Sequence, residues 1–331
     1  MPPGELVEVV MERQDHAVGE PPGLPRDDHQ DTHAAEHSDG ISVVLCCRDR
    51  AALLAEALPP LLAALRPGDE LVVVDSASRD ASVADVAEAA GARVLRCDRP
   101  GLSRARNLGW RATHRPLVLF TDDDCRALPG LVAATAAAFT DPRVGAVWGH
   151  VLAGGDSGIE LSVSAESGPT EYTGSGDLSA IGHGACMAFR RTALEVLGGF
   201  DEALGVGGLL GSGEDKDAFW RAVQVGWATR SAPGMAVTHV SWRDDAEGRR
   251  VMYRYGVGAG AVAVKRYRLT HQRGLVLAEL WLHGLLPAAR WARQGRYAAS
   301  SGALTRALGV LSGVRQARRL GLSDGRFEVS A

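Results

Sequence analysis

Apolar residues follow two rhythms along this chain. Short aliphatic runs at Ile41–Leu45, Leu71–Val74, Arg93–Arg96, Leu117–Phe120 and Val144–Trp148 predict strands. Between them the spacing turns helical. Leu53, Leu54, Ala57, Leu58, Leu61, Leu62 and Leu65 predict a first helix, which Pro59 and Pro60 should kink or split. Asp80 is placed to cap a second helix running to about Ala90, where Gly91 can supply a left-handed stop, and a third spans about Ser103 to Ala112. Strand and helix in alternation predict an α/β layer structure around a mainly parallel sheet. Further on, a helix from about Asp215 to Val225 stops at Gly226 and leads to short strands near Ala228 and Val237.

Three stretches lack the alternation. Residues 1–39 are rich in Pro, Asp, Glu and His and cannot bury enough apolar surface to offset ordering entropy, so a disordered tail is expected, His29, His33 and His37 included. Gly149–Gly182 is rich in Gly, Ser and Thr without a clear period, and long irregular stretches of that type are often functional. Beyond Trp242 the chain is helical and rich in Arg. The expected division is a tail over 1–39, an α/β domain over 40–242 and a helical extension over 243–331.

Composition narrows the function. With 46% hydrophobic and 23% charged residues in 331, the chain reads as an ordinary soluble globular protein with one large core. A formal net charge of −4 leaves no basic surplus, so nucleic acid is not an expected partner. Cys46, Cys47, Cys97, Cys125 and Cys186 are odd in number and lack zinc spacing, which predicts buried free thiols in a reducing compartment. Cys125, beside an acidic cluster, is the one with a possible second role. No signal pattern and no apolar run of the ~20 residues needed to span a bilayer is present, so a cytoplasmic location is expected.

The candidate chemistry gathers at strand ends. In open parallel sheets ligands sit beyond the carboxyl ends of the strands. There Asp75 can accept hydrogen bonds from a base or ribose, and Ser76 lets a nucleotide approach the backbone. Asp122, Asp123 and Asp124 repel one another unless a cation is present, which points to magnesium or manganese shared with donor phosphates. Arg104, Arg106 and Asn107 form a compact polar set suited to phosphate or to capping the sheet edge. Glu214, Asp215 and Asp217 open a helix, where carboxylates are favoured in any case, but the glycine-rich approach from Gly205 to Gly213 suggests a loop that delivers a carboxylate. His239 follows an apolar strand and would be a third ligand or a phosphate contact.

In order and spacing these pieces resemble the family-two glycosyltransferases of the GT-A fold over roughly residues 41–242. The matching segments are Ile41–Leu45 with Arg48 and Arg50, Val72–Asp80, Gly101–Gly109, Phe120–Asp124, Phe189–Arg191, Gly198–Glu202, Gly213–Asp217 and Val237–His239. The resemblance implies a nucleotide-sugar donor and a divalent cation, with a glycan, lipid-linked or small-molecule acceptor. It would set Asp75 on the nucleobase, Asp122 on ribose or metal, Asp124 on the metal, and His239 on metal or diphosphate; Asp123 falls within the nucleotide site. Asp215 would be the catalytic base, with Glu214 second choice, and the anomeric configuration would invert. Two departures stand out: Cys46-Cys47 where the family commonly has Pro-Thr, and Ala77 where glycine is frequent.

Two rivals are a nucleotidyltransferase, which would have no clear use for Glu214-Asp215, and a non-catalytic glycan-binding scaffold, which would usually have lost its acids. From Leu275, Leu and Trp alternate with Arg290, Arg293, Arg296, Arg315, Arg318 and Arg319. That pattern suits helices on an anionic membrane face as well as it suits a helical cap or dimer surface. Tyr253, Tyr255, Gly256, Gly258, Gly260 and Lys265 lie, by resemblance, near acceptor or donor.

Overall fold

The computed structural model describes residues 40–154, 168–174, 177–178, 181–240 and 245–329, with backbone alone at 245 and 246. The expected tail over 1–39 with His29, His33 and His37, Trp242 and much of the Gly/Ser/Thr stretch lie outside the described residues.

Strands β1 (Ile41–Cys47), β2 (Glu70–Ser76), β3 (Arg93–Cys97) and β4 (Leu117–Asp122) pair in parallel in the order β3-β2-β1-β4. Helices α1 (Ala51–Ala64), α2 (Ser82–Ala89) and α3 (Leu102–Ala112) make the crossovers. Both faces are covered. Val44, Cys46, Val72 and Val74 enter one core, and Val43, Leu45, Leu71 and Val73 the other, which is why these strands read as nearly unbroken apolar runs. The pairing register sets Cys46 opposite Val74 on one side and Asp122 on the other, so three strands end level.

The remaining elements are β5 (Cys125–Ala127), α4 (Leu131–Ala138), β6 (Val144–Ala153), β7 (Glu171–Tyr172), β8 (Cys186–Arg190), α5 (Arg191–Leu197), α6 (Glu214–Gln224) and β9 (Ala228–His239). They extend the sheet as β4-β8-β6-β9-β5 with β7 against β9; β8 runs antiparallel to both neighbours, and β9 runs parallel to β6. The sheet is thus parallel in its first half and mixed beyond β4.

Two local expectations are corrected. Helix α1 runs unbroken through Pro59 and Pro60. The carbonyls that lose their donors belong to Ala55 and Glu56, which sit on the exposed face, where water can replace the missing bonds. The two short strands near Ala228 and Val237 are one strand. Its register against β6 jumps between Trp148 and His150, and Pro233-Gly234 occupy the bulge that looks like a break in sequence. At α2, Asp80 accepts from the Ser82 amide at 3.0 Å while Ala81 holds the cap position, and Gly91 takes its left-handed conformation at φ 77°.

The C-terminal part comprises α7 (Asp245–Thr270), α8 (Leu275–Leu280), a π-helical turn at Trp281–Leu285, α9 (Leu286–Arg293), α10 (Tyr297–Ala317) and the hairpin β10 (Leu322–Ser323) with β11 (Arg326–Phe327). Helices α7 and α10 approach to backbone contact. A Cβ on Gly256, Gly260, Gly309 or Gly313 would come within 2.0–2.2 Å of a carbonyl oxygen of the facing helix. Gly258 instead faces Ser212. Lys265 on α7 is fully buried and lies 2.5 Å from Asp201 and 2.7 Å from Asp217; Arg221 pairs with Asp217 at 2.8 Å, and the Phe327 amide donates to Asp201 at 2.8 Å. Two cations and two carboxylates therefore join α6, α7, the loop after α5 and the terminal hairpin. All five cysteines are free and buried, and burial holds the Cys125 thiol well above its ordinary range.

Candidate active site

The level ends of β1, β2 and β4 form one wall of a cavity of about 1100 Å³. Cys46–Arg50, Ser76, Asp122 and Asp124 line that wall; Gly184, Glu214, Asp215 and His239 close the floor. The opposite wall comes from the C-terminal helices, through residues such as Arg250, Arg254 and Leu282.

The acid triplet separates into three environments. Asp122 reaches the cavity and accepts from Arg106 Nη2 at 3.1 Å. Asp123 turns inward: it is fully buried, one oxygen lies 2.7 Å from Arg50 Nη2, and burial pushes its carboxyl up to about 7 against the pull of Arg50. Asp124 accepts from Arg50 Nη1 at 3.3 Å, and its other oxygen lies 3.6 Å from His239 Nε2. The antiparallel pairing of β5 and β9 sets Cys125 opposite His239 and so brings the Asp124 and His239 side chains together. Arg50 and Arg106 thus relieve much of the repulsion within the triplet, which the sequence reading had left to a metal alone.

The donor atoms still suit a hard divalent cation. Carboxylate oxygen and imidazole nitrogen converge at Asp124 and His239, and His239 Nδ1 is buried without a hydrogen-bond partner. Asp122, held by Arg106, stands further off: among the described residues only Asp177, Glu279 and His283 bring three such atoms within 4.8 Å of one another.

Arg106, which lines the cavity, and Asn107, which does not, are both engaged by hydrogen bonds within the fold. Ser103, Arg106, Asn107 and Trp110 share the buried stripe of α3. Arg106 donates to Glu214 at 2.7 Å and to the Gly184 carbonyl at 3.2 Å as well as to Asp122, so its guanidinium ties the acid triplet to α6. Asn107 donates to the Phe200 carbonyl at 2.9 Å and accepts from the Phe200 amide at 2.8 Å; it clamps the loop carrying Asp201 and does not reach the cavity. Arg104 pairs with Glu202 at 3.1 Å outside the cavity lining. Asp75 is buried at the end of β2, where it accepts from the Ser78 amide at 2.8 Å and pairs with Arg96; Ser76, beside it, lines the cavity.

Within Gly213–Asp217 each side chain has its own task. Glu214 is buried against Arg106, and burial together with Asp215 pushes it up to about 7. Asp215 faces the cavity and accepts from the Gly184 amide at 2.9 Å and the Lys216 amide at 2.8 Å. Burial raises its carboxyl, but Lys216, the protonated form of His183, the Lys216 amide and Arg106 outweigh it, and Asp215 stays below its ordinary range. Lys216 donates to the carbonyls of Ile181 and Gly182, and Asp217 turns to Lys265. His183 also lines the cavity, lowered to about 4 by burial and by Lys216, and so is neutral at pH 7. The sequence reading missed His183, Lys216 and Arg50 as site components. His183 follows directly on the aperiodic stretch that ends at Gly182, whereas Arg50, one of the residues behind the family resemblance, carried a readable signal.

Residues 42–198 match the family model described as Glycosyl transferase family 2. The chain carries a family-two glycosyltransferase domain. A mannosyltransferase from Pyrobaculum calidifontis, PcManGT, solved with GDP-Man and Mn2+, is similar in fold to the transferase: TM-score 0.54 at 21% identity, over 82% of this chain and 86% of that one. S. aureus TarS 1–349 in complex with UDP aligns at TM-score 0.49 and 17% identity, over 88% of this chain and 96% of its own. The fold of the transferase is accordingly the GT-A arrangement, a central sheet flanked by helices with a helical C-terminal region.

Proposed function

We propose that the transferase moves a sugar from a nucleoside-diphosphate donor to an acceptor hydroxyl in one inverting displacement. The observation that carries this is the meeting of Asp124, His239 and Asp215 in one cavity at the carboxyl edge of the parallel strands. Asp75 and Ser76 at the end of β2 are assigned to the base and ribose of the donor. Asp124 and His239 would hold magnesium or manganese, which when bound neutralises the departing diphosphate, with Asp122, set further off by Arg106, assigned to ribose or metal. Asp123, buried under Arg50, supports that edge from behind and is not assigned a contact with the nucleotide.

Asp215 is the assigned base. Two backbone amides fix its carboxylate, and its lowered proton affinity keeps it ionised at neutral pH. It takes the proton of the acceptor hydroxyl as that oxygen bonds to the anomeric carbon and the bond from that carbon to the diphosphate breaks. Glu214 is committed to Arg106 and serves as a positioning group. The acceptor, a glycan, a lipid-linked sugar or a small molecule, would enter between the sheet edge and the C-terminal helices.

Thermal stabilisation by a panel of nucleoside diphosphates and their sugars, with and without manganese, tests the donor site, because binding raises stability by mass action. One nucleotide should raise Tm in a manganese-dependent way, and Asp124→Asn should remove the metal dependence. Asp215→Asn should keep the shift while lowering transfer by about 10²–10⁴-fold. No shift with any nucleotide in folded protein would refute the assignment.

A further inference from the structure

The last helices carry an apolar face that no described part of the chain covers. On α10, Tyr297, Leu304, Leu308 and Leu311 recur at i, i+7, i+11 and i+14 and so form one narrow stripe, with Leu308 62% exposed. On the adjoining α8, π-helical turn and α9, Leu277, Trp281 and Leu285, then Leu282 and Leu286, recur at every fourth residue and are exposed as well. Isolated exposed leucines are ordinary; a run of this length on two packed helices is not.

Charge decides what fits this face. Residues 275–320 hold seven arginines and a single acid, Glu279, in a chain whose formal net charge is −4. Glu279 is taken by Arg306 at 2.8 Å. Among the described residues Arg290, Arg293, Arg315 and Arg318 have no acidic partner. The α10 stripe runs on into Arg315 and Arg318, while Arg293 and Arg296 precede Tyr297, so the apolar band is bounded by cations at both ends. A second copy paired through the same face would set these arginines against themselves. A bilayer with anionic headgroups offers apolar depth for the leucines and negative charge for the rim together.

We propose that this helical face docks on a membrane surface carrying anionic lipids. Among the described residues no helix is long and apolar enough to cross a membrane, and the face is shaped to lie along one. Ala278, Leu282 and His283 of the same helices also line the large cavity, so docking sets its mouth beside the bilayer. The membrane-borne acceptor that this implies rests on the transferase reading; the docking does not.

The test is co-sedimentation of the full chain with vesicles of phosphatidylcholine containing phosphatidylglycerol, and with phosphatidylcholine alone. The wild type should pellet with the anionic vesicles and be released by salt. Leu304→Glu/Leu308→Glu/Leu311→Glu should abolish pelleting, and Arg290→Glu/Arg293→Glu/Arg315→Glu/Arg318→Glu should weaken it by at least the roughly fivefold per residue expected of a basic side chain at such a surface. All substituted positions are exposed, and an unchanged circular dichroism melt verifies that each variant folds. Failure of the wild type to pellet, equal binding to neutral vesicles, or a dimer that the leucine variant dissolves would overturn the proposal. Nucleotide-dependent stabilisation, measured on the same samples, reads the donor site separately, so either assignment can fail without the other.

Discussion

Glu214 and Asp215 are neighbours in sequence and opposites in electrostatics. Glu214 is pushed up to about 7 by burial and by Asp215, whereas Asp215 lies below its ordinary value because Lys216, the protonated form of His183, the Lys216 amide and Arg106 overcome its burial. A base must be ionised to act, so the pH profile tells them apart. With Asp215 as base, kcat/KM should stay level as pH falls through neutrality and drop only once pH falls below the ordinary carboxylate range. With Glu214 as base it would already fall through about 7. Glu214→Gln should lower activity less than Asp215→Asn and leave the acid limb in place. At this scale the sequence was partly readable. The acids at Asp122–Asp124 and Gly213–Asp217 advertise a site, yet the partner that joins them, Arg106, is 108 residues from Glu214. The signal for its burial was present: Arg106 and Asn107 stand on the same helical stripe as Ser103 and Trp110, and a charge on such a stripe requires a carboxylate opposite. Ala77 shows the reverse. Glycine is frequent there in the family, and alanine holds the left-handed conformation at φ 58° all the same.

At the scale of elements, the parallel strands were legible because burial on both faces leaves unbroken aliphatic runs, and β1 to β4 emerge at the expected positions. Where a strand bulges, as at Pro233-Gly234 in β9, the local residues report a turn and only pairing with β6 reveals continuity. The α7–α10 contact was not legible, since glycine in a helix reads as a weakness until its neighbour is known. A Cβ at Gly313 would lie 2.0 Å from the Val257 carbonyl oxygen, too close for any rotamer to relieve. Gly313→Val should therefore part the two helices and cost about 1–3 kcal/mol or more, measured by urea unfolding. Gly274→Ala, at a site with open space around it, gives a control limited to backbone strain.

For the whole molecule, the sheet and the C-terminal helices share one core. Val257, Val262 and Phe327 pack in the same cluster as Val44, Phe120 and Phe219. Lys265 is the electrostatic counterpart of that packing, buried between Asp201 and Asp217. Lys265→Met leaves Arg221 as the sole cation of the group and should destabilise the chain by about 3–5 kcal/mol in urea unfolding, the range for removing one partner of a buried pair. Transfer activity per folded molecule should change far less than stability, because Lys265 does not line the cavity.

The Lys265 anchor bears on how such a protein can be cut or inherited. The segment that matches the family ends at residue 198, before either acid that Lys265 neutralises, and Asp201 and Asp217 lie on the sheet side of the join. A truncation before α7 would strip the cation and leave two carboxylates with Arg221 alone, so the catalytic half is expected to express as aggregate. Recombination that grafts on foreign terminal helices would succeed only where the newcomer brings its own buried base. Substitution at Lys265 should accordingly be tolerated only together with a change at Asp201 or Asp217.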